Sequence, residues 1–169
     1  RFDGVDITHL PPQRVARLGV VRSFQISSVF PQFTARENVL IALQRATGQS
    51  MHFWRSARAL DRLSARALEL LERVGMADDA GRFTVELPYG RKRALELATT
   101  LAAEPVVMLL DEPTSHLDLG NRDRILGTLR ALTRDGVTII FTTHDPNLVA
   151  ASADYVVLMR QGRLLAAGA

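Results

Sequence analysis

The sequence predicts an α/β fold with a mostly parallel sheet flanked by helices. Two apolar runs, Val106–Leu110 and Val137–Phe141, have the length and composition of strands in a parallel sheet, and the first is expected to be buried on both faces. Between them, Leu119–Arg134 carries apolar residues at helical spacing. A strand, a helix and a strand in this order form a βαβ unit, so both strands end at the same edge of the sheet.

Ionisable residues follow both strands at that edge. Asp111 and Glu112 come directly after the first run, Pro113 prevents its continuation, and His144 lies just past the second run. Ligands of open α/β sheets bind in the crevice outside the carboxyl ends of the strands. These residues alone leave two interpretations open: a functional site, or a strand end whose carboxylates face water.

Composition excludes several classes of protein. The chain has 169 residues, 47% of them hydrophobic, which is enough for one domain with its own core. It has no cysteine, so disulfides and thiolate metal sites are excluded and the cytosol is the default compartment. No apolar run approaches the roughly 18 residues that span a bilayer. The net charge of +3 comes from scattered arginines, which favours solvated helix faces over a nucleic-acid surface.

The first part of the chain predicts short elements. Residues 2–7 are expected to form two strand pieces around a glycine turn, and residues 11–19 a short helix ended by Gly19. A further strand is expected over Gly19–Phe24, with Gln25 at its end. Thr34 and Glu37 have the spacing of a capping box at the start of a helix.

The middle of the chain is mostly helical in pattern. Residues 44–54 are ambiguous, and a longer helix is expected over Arg55–Val74, stopped by Gly75. Another helix is predicted over Arg91–Ala103, directly after Gly90, and such a helix start suits an anion. After the βαβ unit, Tyr155–Met159 and Arg163–Ala167 are predicted to pair as a hairpin.

Five motifs, in order and approximate spacing, resemble those of the ATP-binding subunits of ABC transporters. Gln25 resembles the Q-loop, Leu87–Gly90 the signature motif, Leu109–Pro113 Walker B, Ser115–Asp118 the D-loop and His144 the switch histidine. The resemblance covers practically the whole chain. It implies one P-loop NTPase-type domain over residues 1–169, with an inserted helical subdomain over about residues 34–103 that ends in the signature helix.

The resemblance also implies roles for individual residues. Glu112 resembles the general base, His144 the contact to the γ-phosphate, and Asp111 the carboxylate that holds Mg²⁺ through water. Gln25 resembles the residue that touches the metal region and senses the membrane subunit. The implied cofactors are ATP and Mg²⁺. The positions resembling nucleotide-contacting residues are Leu87, Pro88, Tyr89, Gly90, Arg91, Ser115 and Asp118.

The sequence departs from the family pattern in two places. Pro88, Tyr89 and Arg91 replace the serine, the first glycine and the glutamine of the usual signature, and Pro88 has neither hydroxyl nor amide hydrogen to donate. The only lysine is Lys92, so the phosphate loop G-x-x-x-x-G-K-[ST] is not within these residues. The chain therefore resembles an ATPase subunit without its N-terminal strand and Walker A segment.

The transported solute is indicated only weakly. Residues 19–39 and 87–98 resemble importers of branched-chain and other hydrophobic amino acids, whereas residues 111–118 and 142–168 resemble importers of iron-siderophores, metal chelates or molybdate. The family implies permease subunits and a second ATP-binding subunit, identical or different, as partners, with no nucleic acid. It implies a cytoplasmic location, peripheral on the inner face of the membrane. A non-transport ABC protein or a non-hydrolysing regulatory subunit is the alternative.

Overall fold

A computed structural model describes residues 1–22, 29–46 and 57–169, with side chains from residue 61 onward in the last range. The elements follow the predicted α/β order. The helices are α1 (Pro12–Arg17), α2 (Ala35–Ala46), α3 (Ala57–Arg73), α4 (Tyr89–Leu101), α5 (Leu119–Arg134) and α6 (Pro146–Ser152). The strands are β1 (Val20–Arg22), β2 (Val107–Asp111), β3 (Thr138–Thr142), β4 (Val156–Arg160) and β5 (Arg163–Gly168).

The main sheet has three parallel strands in the order β1-β2-β3. Strand β2 is central, and its Asp111 is in register with Thr142 at the end of β3. Only one face of β2 is fully covered: Met108 and Leu110 are buried, whereas Val107 and Leu109 are half-buried. The expectation that this strand is buried on both faces is therefore wrong, because no described helix covers the second face as completely as α4 and α5 cover the first.

The predicted hairpin is confirmed. Strands β4 and β5 pair antiparallel, with a bulge between Leu158 and Met159 and a turn in which Gln161 and Gly162 both have positive φ. Among the described residues this hairpin forms a sheet of its own, and its side chains are exposed.

Helices α2, α3 and α4 pack on one another and share a core with β2 and α5. The capping box is confirmed: the Glu37 carboxylate accepts from the Thr34 amide at 2.7 Å, and the Glu37 amide donates to the Thr34 hydroxyl at 3.2 Å. The fully buried side chains of this core include Leu70, Leu71, Met76, Leu95, Met108 and Leu132. None of the helices in the described ranges combines the length and apolar character needed to cross a membrane.

Two local expectations were wrong, and one helix was not predicted. Residues 2–5 form one isolated bridge, Phe2 to Val5, around a tight turn rather than two strand pieces. Helix α4 begins at Tyr89, two residues early, because Pro88 has the extended backbone of an N-cap residue. Helix α6 was not predicted, although Asp145 caps it and Pro146 occupies its first position, a combination typical of helix starts.

Candidate active site

The parallel register of β2 and β3 brings together the polar residues at their carboxyl ends. Asp111 lies opposite Thr142, whose hydroxyl donates to Asp111 Oδ1. The guanidinium of Arg22, at the end of β1, lies 3.9 Å from the other oxygen of Asp111. Three neighbouring strands therefore each contribute a polar side chain at one edge of the sheet.

Glu112 and His144 meet at the same edge, as the βαβ unit predicts. Nδ1 of His144 lies 2.9 Å from Oε1 of Glu112, within hydrogen-bond distance. The Glu112 amide donates to the carbonyl of Thr142 at 3.1 Å, which ties the end of β2 to β3. Glu112 has a φ of +44°, in the left-handed region that is uncommon for residues other than glycine. Such a conformation persists only where its surroundings fix it.

The turn after Glu112 is closed by Ser115 and leads to a capped helix. The amide and the hydroxyl of Ser115 donate to the Glu112 carbonyl at 3.1 and 2.9 Å. Asp118 caps α5 by accepting from the amide of Asn121 at 2.9 Å and from its side-chain nitrogen at 2.7 Å. These hydrogen bonds favour the ionised form and hold the pKa of Asp118 below its usual value.

The start of α4 lies against the start of α5. Pro88 is its N-cap residue, and no side chain caps the helix. A Cβ added at Gly90 would lie 2.5 Å from Cγ of Asn121, so only glycine fits at this contact. Tyr89 and Pro88 are exposed beside it, whereas Leu87 is buried in the core.

Arg91 is held by a buried carboxylate. Its Nε donates to Asp79 Oδ2 at 2.6 Å, its Nη2 reaches the same oxygen, and Arg82 donates to Oδ1 at 3.1 Å. Burial of Asp79 would raise its pKa, but the hydrogen bonds and charges of the two arginines outweigh that effect and lower it. The guanidinium of Arg91 is thus bound to the 3₁₀ turn that carries Asp79.

The structure brings some of the predicted residues together and leaves others apart. Asp111, Glu112 and His144 form one group, with Ser115 and Asp118 in the turn that follows it. The residues 87–91 lie at the start of α4, next to Asn121. Gln25 falls outside the described residues. Sequence reasoning missed Thr142 and Asn121. Thr142 could have been predicted as a site residue, because it lies at the end of an apolar run, two residues before His144.

One carboxylate at the sheet edge is a candidate ligand for Mg²⁺. The ion prefers oxygen ligands and is commonly held by one or two carboxylates together with substrate phosphates and water. Asp111 supplies one half-exposed carboxylate at the strand end, and Thr142 fixes its orientation through the hydrogen bond to Oδ1. Among the described residues, no group of three or more His, Asp or Glu side chains could hold a metal ion, so an ion at Asp111 would need further ligands from phosphate and water.

Two solved structures of similar fold are ATP-binding cassettes. A post-hydrolysis dimer of the cassette MJ0796, bound to ADP and phosphate, matches with a TM-score of 0.78 and 25% identity over 98% of this chain and 70% of the other. The cassette MJ1267 matches with a TM-score of 0.84 and 24% identity over 99% and 67%. The fold is thus that of the P-loop NTPases, in the form found in these cassettes.

The sequence relatives narrow the class to one family. BraF of Pseudomonas aeruginosa, a high-affinity branched-chain amino acid transport ATP-binding protein, is 34% identical over 99% of this chain and 68% of its own length. LivG of Escherichia coli K12, with the same description, is 35% identical over 94% and 65%. The chain belongs to the family of ABC transporter ATP-binding subunits.

A third relative and one family model also match the chain, and the chain spans only part of each relative's length. The methionine import ATP-binding protein MetN of Rhodopseudomonas palustris is 37% identical over 98% of this chain but only 43% of its own length. Residues 23–150 match a family model described as an AAA domain, with the AbiEii toxin of type IV toxin–antitoxin systems in its description. The chain spans 43%, 65% and 68% of MetN, LivG and BraF.

Proposed function

We propose that the protein containing this chain binds and hydrolyses ATP with Mg²⁺ and thereby energises an ABC importer. The observation that carries the proposal is the contact between Glu112 and His144, beside Asp111, at the carboxyl edge of the sheet. Phosphoryl transfer depends on positioning and charge neutralisation more than on covalent chemistry, and these three side chains provide a base, an orienting group and a metal ligand.

Glu112 acts as the general base in this proposal. Its carboxylate accepts a proton from the attacking water, and the imidazole of His144 holds the carboxylate in place at 2.9 Å. Ser115 and Thr142 hold its backbone, so the carboxylate keeps one position relative to Asp111. When bound, Mg²⁺ neutralises charge on the phosphates. Gln25, which resembles the Q-loop residue of the family, is proposed to contact the same region.

A second ATP-binding subunit completes the site. At the start of α4 the amides of Arg91 and Lys92 donate to the carbonyl of Pro88 at 3.0 Å, which leaves the amides of Tyr89 and Gly90 at the partial positive charge of the helix start. Gly90 and Asn121 lie at the contact of α4 with α5. We infer that residues 87–91 contact the γ-phosphate of nucleotide bound by an opposite subunit, with Ser115 and Asp118 near the junction. The bond from Arg91 to Asp79 leaves the backbone amides of Tyr89 and Gly90 as the principal donors in this contact.

The expected membrane partner is a permease. An exposed apolar patch formed by Phe30, Phe33, Phe83 and Val85 supports this, since such patches mark interaction sites. The two segments that carry these side chains are adjacent, because the amides of Thr84 and Val85 donate to the carbonyls of Phe33 and Pro31. The proposed location is peripheral, on the cytoplasmic face. Hydrophobic amino acids are the proposed solutes, because BraF, LivG and MetN are named for branched-chain amino acids and methionine.

The test is Glu112→Gln in the full natural polypeptide that contains residues 1–169. We expect nucleotide binding to persist and hydrolysis to fall about 10²- to 10⁴-fold, the usual contribution of a positioned base. Phosphate release is measured on the purified protein, and uptake of labelled leucine and methionine is measured in cells that carry the variant. Glu72→Gln, an exposed change on α3, is the control.

Near-normal phosphate release by Glu112→Gln would exclude Glu112 as the base. Loss of hydrolysis without loss of amino-acid uptake would assign the ATPase to another solute. Metal chelates are the first alternative solutes. The structure of a metal-chelate type ABC transporter matches at 28% identity and a TM-score of 0.72, over 89% of this chain and 57% of the other.

A further inference from the structure

A buried ion pair lies on α4, one turn beyond the signature residues. Arg93 Nη1 donates to Glu96 Oε2 at 2.6 Å, and the two side chains are only 8% and 6% exposed. Arg93 Nε and Glu96 Oε1 have no hydrogen-bond partner among the described residues. A buried pair of this kind is often no more stabilising than apolar side chains of the same size, because the desolvation of two charges opposes their attraction. Stability alone is therefore a weak explanation for it.

The position of the pair suggests what it does. Arg93 and Glu96 line a small cavity together with Leu97 of the same helix and Ile125 of α5. The remaining lining residues are Leu110 and Pro113. These two buried residues directly flank Asp111 and Glu112 in sequence, so the turn at the end of β2 and the charged pair line the same cavity.

The turn needs such support because its backbone is strained. Glu112 has a φ of +44° and is held from one side by hydrogen bonds to Thr142 and Ser115 and by the contact with His144. On the other side, its neighbours Leu110 and Pro113 line the cavity together with side chains of α4 and α5. A conformation in a sparsely populated region persists when several contacts act on it together.

We propose that Arg93 and Glu96 are positioning residues that hold Glu112 in its left-handed conformation by fixing Leu110 and Pro113. A hydrogen-bonded ion pair has a defined orientation, whereas apolar side chains of similar size would fill the space without fixing it. The pair lies on α4, the helix that begins at Tyr89, and faces the cavity that the turn carrying Glu112 also lines. The consequence for catalysis rests on the proposed function; the positioning itself does not.

The test compares two double variants of the full natural polypeptide. Arg93→Met/Glu96→Met removes the pair with unbranched apolar side chains and leaves no single buried charge. Arg66→Met/Glu69→Met is the matched control, because Arg66 and Glu69 form an exposed pair on α3 with the same spacing, at 2.9 Å. Native-state hydrogen exchange is followed at the amides of Glu112 and Ser115, together with kcat and KM for ATP.

We expect the amides of Glu112 and Ser115 to exchange at least about 10-fold faster in the Arg93→Met/Glu96→Met variant, while the amides of α5 keep their protection. We expect kcat to fall at least about 10-fold with KM within about 2-fold, since a small displacement of a catalytic group has this effect. The Arg66→Met/Glu69→Met control should match the wild type in amide exchange, kcat and KM. Unchanged exchange at Glu112 and Ser115 would overturn the proposal.

A second variant covers the case in which the double variant does not fold. Glu96→Gln keeps the shape of the side chain and removes its charge, and faster exchange at Glu112 and Ser115 is expected again. Slower or unchanged exchange in this folded variant would contradict the proposal. A wild-type protein without ATPase activity would refute the proposed function, yet the exchange rates would still decide whether the pair positions Glu112.

Discussion

Asp79 is the buried carboxylate on which two arginines converge, and its ionisation should be visible in the stability of the protein. Arg91 and Arg82 lower the pKa of Asp79 in the folded state. A carboxyl with a lowered folded-state pKa contributes stability that is complete above its unfolded pKa, about 4, and that is lost as the pH falls through the folded value.

Asp79→Asn should therefore destabilise the protein at neutral pH and much less in acid. We expect a loss of about 1–3 kcal/mol at pH 7, typical of a buried hydrogen bond to a charged group, and a shrinking difference below about pH 4. Urea unfolding across the pH range measures this. Asp78→Asn, at the exposed neighbouring position, is the control. A difference that stays constant with pH would show that the charge of Asp79 is not responsible.

Sequence reasoning identified the side chains at the strand ends but not their surroundings. Asp111, Glu112 and His144 were predictable because a βαβ unit places the ends of parallel strands at one edge. The left-handed backbone of Glu112 was not predictable, because the residue at this position is neither glycine nor asparagine, which adopt that region most readily. The partner of Arg91 was also not predictable, since Asp79 lies twelve residues away in a turn without periodic pattern.

At the scale of elements, the contact between α4 and α5 depends on one glycine. Gly90 faces Asn121, whose side chain is held by Asp118 at 2.7 Å and cannot turn away freely. A methyl group at position 90 would separate the starts of the two helices.

We expect Gly90→Ala to lower the free energy of unfolding by about 1–3 kcal/mol, the usual effect of overpacking, and to weaken ATP-dependent association of two copies. Adding Asn121→Ala should recover most of the stability. Gly127→Ala is the matched control: this glycine lies in α5 with nothing within 4 Å of an added Cβ, so alanine should stabilise by about 0.5–1 kcal/mol. Unfolding curves and sedimentation with ATP measure both effects. Equal stability of Gly90→Ala and wild type would show that Asn121 moves aside.

Most elements were predictable, and the exceptions have local causes. The long helices and the hairpin have clear apolar periodicity or turn residues. Helix α6 was missed because its seven residues are too few for a periodic pattern. The sequence indicates its start only through Asp145 and Pro146. Strand β1 was expected over six residues, but the structure describes it only over Val20–Arg22, and residues 23–28 lie outside the described ranges.

At the scale of the molecule, a large apolar surface is exposed on the sheets. Ile140 of β3 is 55% exposed, and β3 pairs only with β2 among the described strands. Both faces of the hairpin carry exposed apolar side chains, including Val157, Leu158, Met159, Leu164 and Leu165. Exposed strand edges and patches of this kind promote association.

Residues 1–169 produced alone should associate and should neither bind Mg-ATP tightly nor hydrolyse it. Association follows from the exposed sheet, and weak binding follows from the lack of a Gly-Lys phosphate loop within these residues. Light scattering after size exclusion and calorimetric titration with Mg-ATP measure the two outcomes. Ile140→Lys should reduce association. A monomer that binds Mg-ATP at micromolar concentration would show that the site is built in another way.

The left-handed backbone of Glu112 implies that thermal stability and ATP hydrolysis favour different residues at position 112. Asparagine adopts the left-handed region more readily than glutamate, so Glu112→Asn should raise the melting temperature while abolishing hydrolysis; relief of about 1 kcal/mol is expected. Differential scanning calorimetry measures the shift, and a lower melting temperature would contradict it. Under the proposed function, the residue that hydrolysis requires at position 112 is therefore not the one that its left-handed backbone favours.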